Sequence, residues 1–261
     1  MRLFLYRNKF HLTFSTQNDK LIDKYRKELL MSQDNKSFSF HFDGIDRAIV
    51  DALRSALEDI MPSIMYDNNL TDRNGYGQFR WNPIIAQLRE KCQHLGWMDV
   101  NVCPRGAWRT PVLFHELSKY LITFMTEATF KTVQHRKDKG KHYLCGGASF
   151  NHEVKAKNEQ IELKLPGVLS DMEPWVAKSR EELAEAVCTS VGDIHGHILV
   201  LFDVHADKLL TVRAVRLTPL LEISEEEEDW TQYIRIPYVA STNVEPLQNN
   251  EDTDEELVEL L

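Results

Sequence analysis

The chain is 261 residues long, 43% hydrophobic and 27% charged, with a formal net charge of −9. That length can bury a sizeable core, as one large domain or two small ones, and the apolar fraction is ordinary for a globular protein. No apolar run approaches the ~20 residues needed to span a bilayer. The run before Arg7 is too short for a signal-peptide core, and Cys92, Cys103, Cys145 and Cys188 form no Cys-x-x-Cys pair. A soluble, cytoplasmic protein with reduced thiols and no membrane partner is expected.

In chain order, residues 3–15 ("LFLYRNKFHLTFS") read as two strands around a short turn, and 18–31 as a polar helix. "SFSFHF" at 37–42 alternates like a strand. Asp43 suits the cap of a long helix whose apolar stripe is Ile45, Ile49, Leu53, Ala56, Leu57 and Ile60. Residues 66–79 are rich in Asn, Asp and Gly and read as a loop. Asn82 and Pro83 mark the start of a helix with Ile84, Ile85, Leu88, Cys92 and Leu95 on its buried face.

A second loop, "VCPRGAWRTP", leads to 112–132, where Leu113, Leu117, Tyr120, Leu121, Phe124, Met125 and Ala128 keep helical spacing and predict a long helix. The Gly146-Gly147 pair reads as a turn, "EQIELKL" at 159–165 as a strand, and 179–190 as a short helix opened by a Ser179/Glu182 capping box. Cys92 and Cys188 fall on apolar helix faces. Residues 194–205 alternate: Ile194, Ile198, Val200, Phe202 and Val204 face one way, and His195, His197, Leu199, Leu201, Asp203 and His205 the other. "LLTVRAVRL" returns as its partner, and "TQYIRIPYV" reads as a third strand. After Ser241 the composition turns acidic and reads as a disordered tail.

Several stretches invite chemistry. Gly192-Asp193-Ile194-His195-Gly196 resembles the first motif of the serine/threonine metallophosphatases, where Asp and His at this spacing ligate one of two metals that activate a water. Asn151-His152-Glu153 resembles a later motif of that family, and Asp43-Gly44-Ile45-Asp46-Arg47 loosely resembles the middle one. The resemblance implies a two-metal site. The motifs stand in the wrong chain order, however, and an alternating strand follows where the family has a loop and a helix. What survives is a two-ligand metal reading on His195 and His197, ~6–7 Å apart on one strand face. Two ligands are fewer than zinc requires, and a solvated sheet face explains them more simply.

Glu162-Leu163-Lys164 matches the Glu-x-Lys end of the PD-(D/E)xK nuclease pattern. With Asp138 upstream it implies a Mg²⁺-dependent nuclease or phosphodiesterase as the alternative reading. The third candidate is the basic, aromatic middle. From Arg73 to Lys141 there are 12 Lys+Arg against 5 Asp+Glu, a net of +7, whereas Pro219 to Leu261 carries 13 acidic residues and one arginine. Two similar loops offer Arg73, Tyr76, Arg80 and Trp81, and Arg105, Trp108 and Arg109. A basic run adds Arg136, Lys137, Lys139 and Lys141. Arginine forks bind phosphate, and aromatic rings offer stacking faces.

The expectation is therefore an α+β protein, with a helix-rich N-terminal two-thirds on a mainly antiparallel sheet that includes the C-terminal strands. Residues 1–240 would form one domain, with any sub-boundary near 156–179, and 241–261 the tail. It would bind an anionic ligand, most plausibly nucleic acid, or act through its acidic C-terminus on a protein partner. No cofactor is called for beyond Mg²⁺ under the nuclease alternative.

Overall fold

The computed structural model describes residues 44–70, 75–95, 98–105, 108–154 and 173–234. The strands expected at 3–15, 37–42 and 159–165, the helix at 18–31 and the tail at 241–261 lie outside the described residues. So do Asp43, Arg73, Glu162 and Lys164.

The long N-terminal helix forms as α1 (Ile45–Arg54), a π-helical stretch (Ser55–Ile60) and α2 (Met61–Asp67). Gly44 precedes it at φ 87°, a left-handed conformation that glycine adopts at little cost. Ile45, Ile49, Leu53, Ala56 and Leu57 are all buried, as their spacing requires. A short α3 (Tyr76–Phe79) leads into α4 (Trp81–Cys92). Pro83 stands in the first turn of α4, where a missing N–H forfeits no helical hydrogen bond.

Next come β1 (Met98–Arg105), β2 (Trp108–His115) and β3 (Tyr120–Thr126), then α5 (Glu127–His135), α6 (Tyr143–Ala148) and α7 (Glu173–Ala186). The described chain ends with β4 (Gly196–His205), β5 (Lys208–Leu217), β6 (Ile223–Asp229) and a 3₁₀ turn at Thr231–Tyr233.

The six described strands form one sheet in sequence order. Every neighbour pair is antiparallel except β3–β4, which is parallel and joined by the α5–α7 crossover. The class is α+β with a mixed sheet. Helices α1 and α4 cover one sheet face, packing on Leu113, Ile122, Phe124, Ile198, Val200, Phe202, Val212 and Ala214. Helices α5, α6 and α7 cover the other, packing on Val112, Phe114, Leu121, Met125, Leu199, Leu201, Val215 and Leu217. Among the described residues no helix is long and apolar enough to cross a membrane.

This three-layer arrangement corrects five readings. The long helix expected at 112–132 is instead strand β2, a turn with Lys119 at φ 62°, strand β3 and the short α5. Strands buried on both faces read as continuous apolar runs, and such a run cannot be told from a buried helix by periodicity. Likewise "VCPRGAWRTP" belongs to the β1–β2 hairpin and is not a loop. Arg105 and Trp108 are register partners at its end.

The third described C-terminal strand is the acidic Ile223–Asp229 segment; of the stretch expected to be that strand, Thr231–Tyr233 form a 3₁₀ turn and 235–239 lie outside the described residues. Glu225, Glu227 and Asp229 alternate outward on this strand while Glu226 turns to Arg216 at 2.6 Å. Lastly, Ser179 lies inside α7 and caps nothing, and Cys188 is exposed just past its end.

Candidate functional site: a basic, indole-lined cleft

A cleft of about 560 Å³ opens at the carboxyl end of β3. It draws on both helical layers and on the hairpin. From one side come Gly77 and Gln78 of α3, then Arg80 and Trp81 at the start of α4. Pro104, Arg109 and Thr110 come from β1–β2. Phe124, Met125 and Thr126 form its sheet floor, and Thr129 belongs to α5. The far wall is Lys141, His142 and Tyr143 together with Trp175, Lys178, Ser179 and Glu182. These last four residues are spaced i, i+3, i+4, i+7 and so define one face of α7. Among the described residues Glu182 is the sole carboxylate of the lining, against Arg80, Arg109, Lys141 and Lys178.

Each wall pairs a cation with an indole. The Arg80 guanidinium carbon lies 5.9 Å from the Trp81 ring centroid, and the Lys141 Nζ lies 5.6 Å from that of Trp175. At such distances the ring quadrupole attracts the cation. Arg80 is half-buried, and its Nε has no hydrogen-bond partner among the described residues. Desolvation pulls its pKa below the ordinary arginine value, with Tyr76 opposing. Trp81 also serves the core, meeting Phe202 edge-on with centroids 6.0 Å apart. Trp175 is 46% exposed. Lys178 shares an exposed 3.8 Å ion pair with Glu182, one turn further along α7.

Of the residues singled out from sequence, Arg80, Trp81, Arg109 and Lys141 come together here. The Tyr76 hydroxyl instead donates to Asp207 Oδ1 at 2.5 Å, fastening α3 to the β4–β5 turn. The Arg136 Nε holds Asp138 Oδ1 at 3.0 Å on the surface, and that pairing keeps the Asp138 carboxyl pKa below its ordinary value. Lys137 is exposed, and the Lys139 Nζ donates to the Leu220 carbonyl at 3.3 Å. Trp175, Lys178 and Tyr143 went unnoticed in the sequence. Their signal is the spacing of Trp175, Lys178 and Glu182, which crosses the helix start that the Ser179/Glu182 capping box predicts.

The histidines of β4 tell a different story. The face expected to be solvated lies under α5–α7, so Leu199, Leu201 and His197 are fully buried, while His195 precedes the strand and is exposed. Its N–H donates to the Lys119 carbonyl at 2.8 Å. Within the core, His197 Nε2 lies 2.8 Å from Thr123 Oγ1. Its imidazole abuts Gly147, where an added Cβ would come within 2.9 Å of the ring. Burial first, and the Arg216 charge second, push its pKa down to about 3.

Asn151, noted in sequence for a motif resemblance, latches the same spot. Its Nδ2 donates to the carbonyls of His197 at 2.9 Å and Leu217 at 3.1 Å, and its Oδ1 accepts the His197 N–H at 2.8 Å. The Gly146-Gly147 pair, read as a turn, lies inside α6 and makes its two close approaches. Among the described residues no three His, Cys, Asp or Glu side chains gather where one ion could bind them.

Fold and cleft together define the class: a three-layer α+β protein with an open, cation-rich cleft at the carboxyl end of the strand that enters its parallel crossover. The chain belongs to the family of unknown function DUF5986, whose model matches residues 31–260. No curated protein and no solved structure matches it.

Proposed function

We propose that this protein binds an anionic ligand, nucleic acid, in the cleft at the end of β3. The observation that carries the reading is the convergence of Arg80, Arg109, Lys141 and Lys178 on a lining whose described residues include one carboxylate, alongside Trp81 and Trp175. These residues come from four segments far apart in sequence. Ligands of α/β proteins bind outside the carboxyl ends of strands where connections diverge. Here β3 pairs with β2 by a hairpin and with β4 by a crossover. The reading includes a soluble, cytoplasmic protein, supported by four free thiols, three of them buried.

The test is binding of DNA and RNA across a salt series, with and without residues 241–261. Each phosphate neutralised contributes about −0.7 to the log–log salt slope for single strands. Arg109→Glu and Lys141→Glu, both at exposed positions, should each weaken binding and flatten that slope. No detectable binding at low salt by either form of the chain refutes the reading.

A further inference from the structure

We infer that the cleft takes single-stranded nucleic acid, seating an unpaired base on Trp175 while Lys141 and Arg80 hold its phosphates. This inference rests on the anion-binding reading above and adds what that ligand must look like.

The argument begins with α7. Val176 packs on the core, while its neighbour Trp175 lines the cleft at 46% exposure. A large indole left this open forfeits burial energy, and its position beside a cation suits a ligand that is both planar and anionic. Lys141 stands over that ring at 5.6 Å, so a base against the indole brings its own phosphate to the lysine. Arg80, on the opposite wall, adds a second cation to the lining.

The shape then selects between strands. Reading a duplex requires a convex helix or ribbon to enter a groove about 12 Å wide. This site is concave, and its ~560 Å³ volume lies in the range of pockets that enclose small ligands. A stacked, paired base cannot enter such a cleft, whereas a splayed one can, with aromatic stacking and a cationic track as its two attractions.

Three probes test this on the full-length chain: oligothymidylate, the duplex it forms with oligoadenylate, and polyphosphate, which carries the charge without bases. Oligothymidylate should bind more tightly than the duplex. Trp175→Ala should weaken oligothymidylate about ten-fold or more while changing polyphosphate by no more than about two-fold, and Trp175→Phe should restore most of the loss. The inference is overturned if Trp175→Ala binds oligothymidylate like wild type, or if the duplex binds as tightly as the single strand. In either case, polyphosphate binding that Lys141→Glu weakens leaves the anion-binding reading standing. Failure of the wild-type protein to bind any of the three removes both.

Discussion

Replacing Gly146 with alanine probes the packing that holds the far wall of the cleft. A Cβ at Gly146 would lie 2.5 Å from the Ser179 Cβ, 2.9 Å from the Ser179 carbonyl carbon and 3.0 Å from the Arg180 nitrogen. Two effects compete. Alanine is favoured over glycine inside a helix by up to about 1 kcal/mol, while overpacking a tight contact costs ~1–3 kcal/mol. Two of the three atoms are backbone, so relief requires α7 to shift as a body and no single rotamer change suffices. That places the cost at the upper end, and a net loss of about 1–2 kcal/mol is expected.

Gly77 is the matched control. It lies inside α3 with nothing within 4 Å of its added Cβ, so Gly77→Ala should be neutral or gain up to about 1 kcal/mol. Thermal and urea unfolding followed by circular dichroism measure both. The Gly146 variant should melt roughly 2–8 °C lower, since 1 kcal/mol corresponds to about 2–4 °C for a chain of this size. A Gly146→Ala protein as stable as wild type, with an unchanged m-value, would refute the close α6–α7 contact. Because α7 carries Trp175 and Lys178, the same variant should also weaken ligand binding at the cleft.

Stability should depend on pH through two buried histidines. Burial holds His115 down to about 4, and burial with Arg216 holds His197 down to about 3. Unfolded, both take up a proton near 6.5. Stability is therefore complete above about pH 6.5 and falls as pH drops toward 4, by about 1.4 kcal/mol per pH unit for each histidine. Urea midpoints at pH 7, 6 and 5 measure this, and a His197→Gln variant whose slope between pH 6 and 5 matches wild type contradicts it. Asn151→Ala strands two carbonyls and one N–H inside the β4–β5 junction and should cost roughly 3–6 kcal/mol; a loss under about 1 kcal/mol would show that water or a neighbour substitutes. Glu127 grips Arg213 with two bonds of 2.6 and 3.1 Å, tying α5 to β5. Glu127→Gln should cost about 1–2 kcal/mol, a difference that narrows in high salt; a salt-independent difference would assign the loss to packing.

What the sequence disclosed follows from where each segment sits in the layers. Helix α1 and strands β4 and β5 were legible. One side of α1 and of much of β5 meets the core and the other meets water, which preserves the 3.6- or 2-residue period. Strands β2 and β3 were not, because helices cover both of their faces and their two successive apolar runs combine into an apparent helical spacing. The same double coverage explains the misjudged histidines: alternation along β4 located the two faces correctly but could not say that the second one was also buried. Gly146 and Gly147 are glycines for close approach to Ser179 and His197, a long-range requirement that no local pattern reveals. Compositional contrast marked Arg80, Trp81, Arg109 and Lys141 as a group. Trp175 and Lys178 lie in a segment of mixed charge, and only folding brings them opposite that group.

The charge asymmetry of the chain also gains a spatial meaning. The cleft lies at the end of β3, while the acidic run at Glu225–Asp229 forms the edge strand β6. Three strand spacings, about 14 Å, separate β3 from β6 across the sheet. That exceeds the ~8 Å Debye length at physiological ionic strength. The glutamates of the acidic strand are in part satisfied locally: Glu226 by Arg216 and Glu227 by Arg213. Carboxylates on β6 perform a separate task. Among the described strands β6 lies at the sheet's edge, and outward charges on an edge strand deter pairing with another chain. A net charge of −9 is thus compatible with an anion site, because the field a ligand meets at close range is set by the four cations of the lining and not by the total.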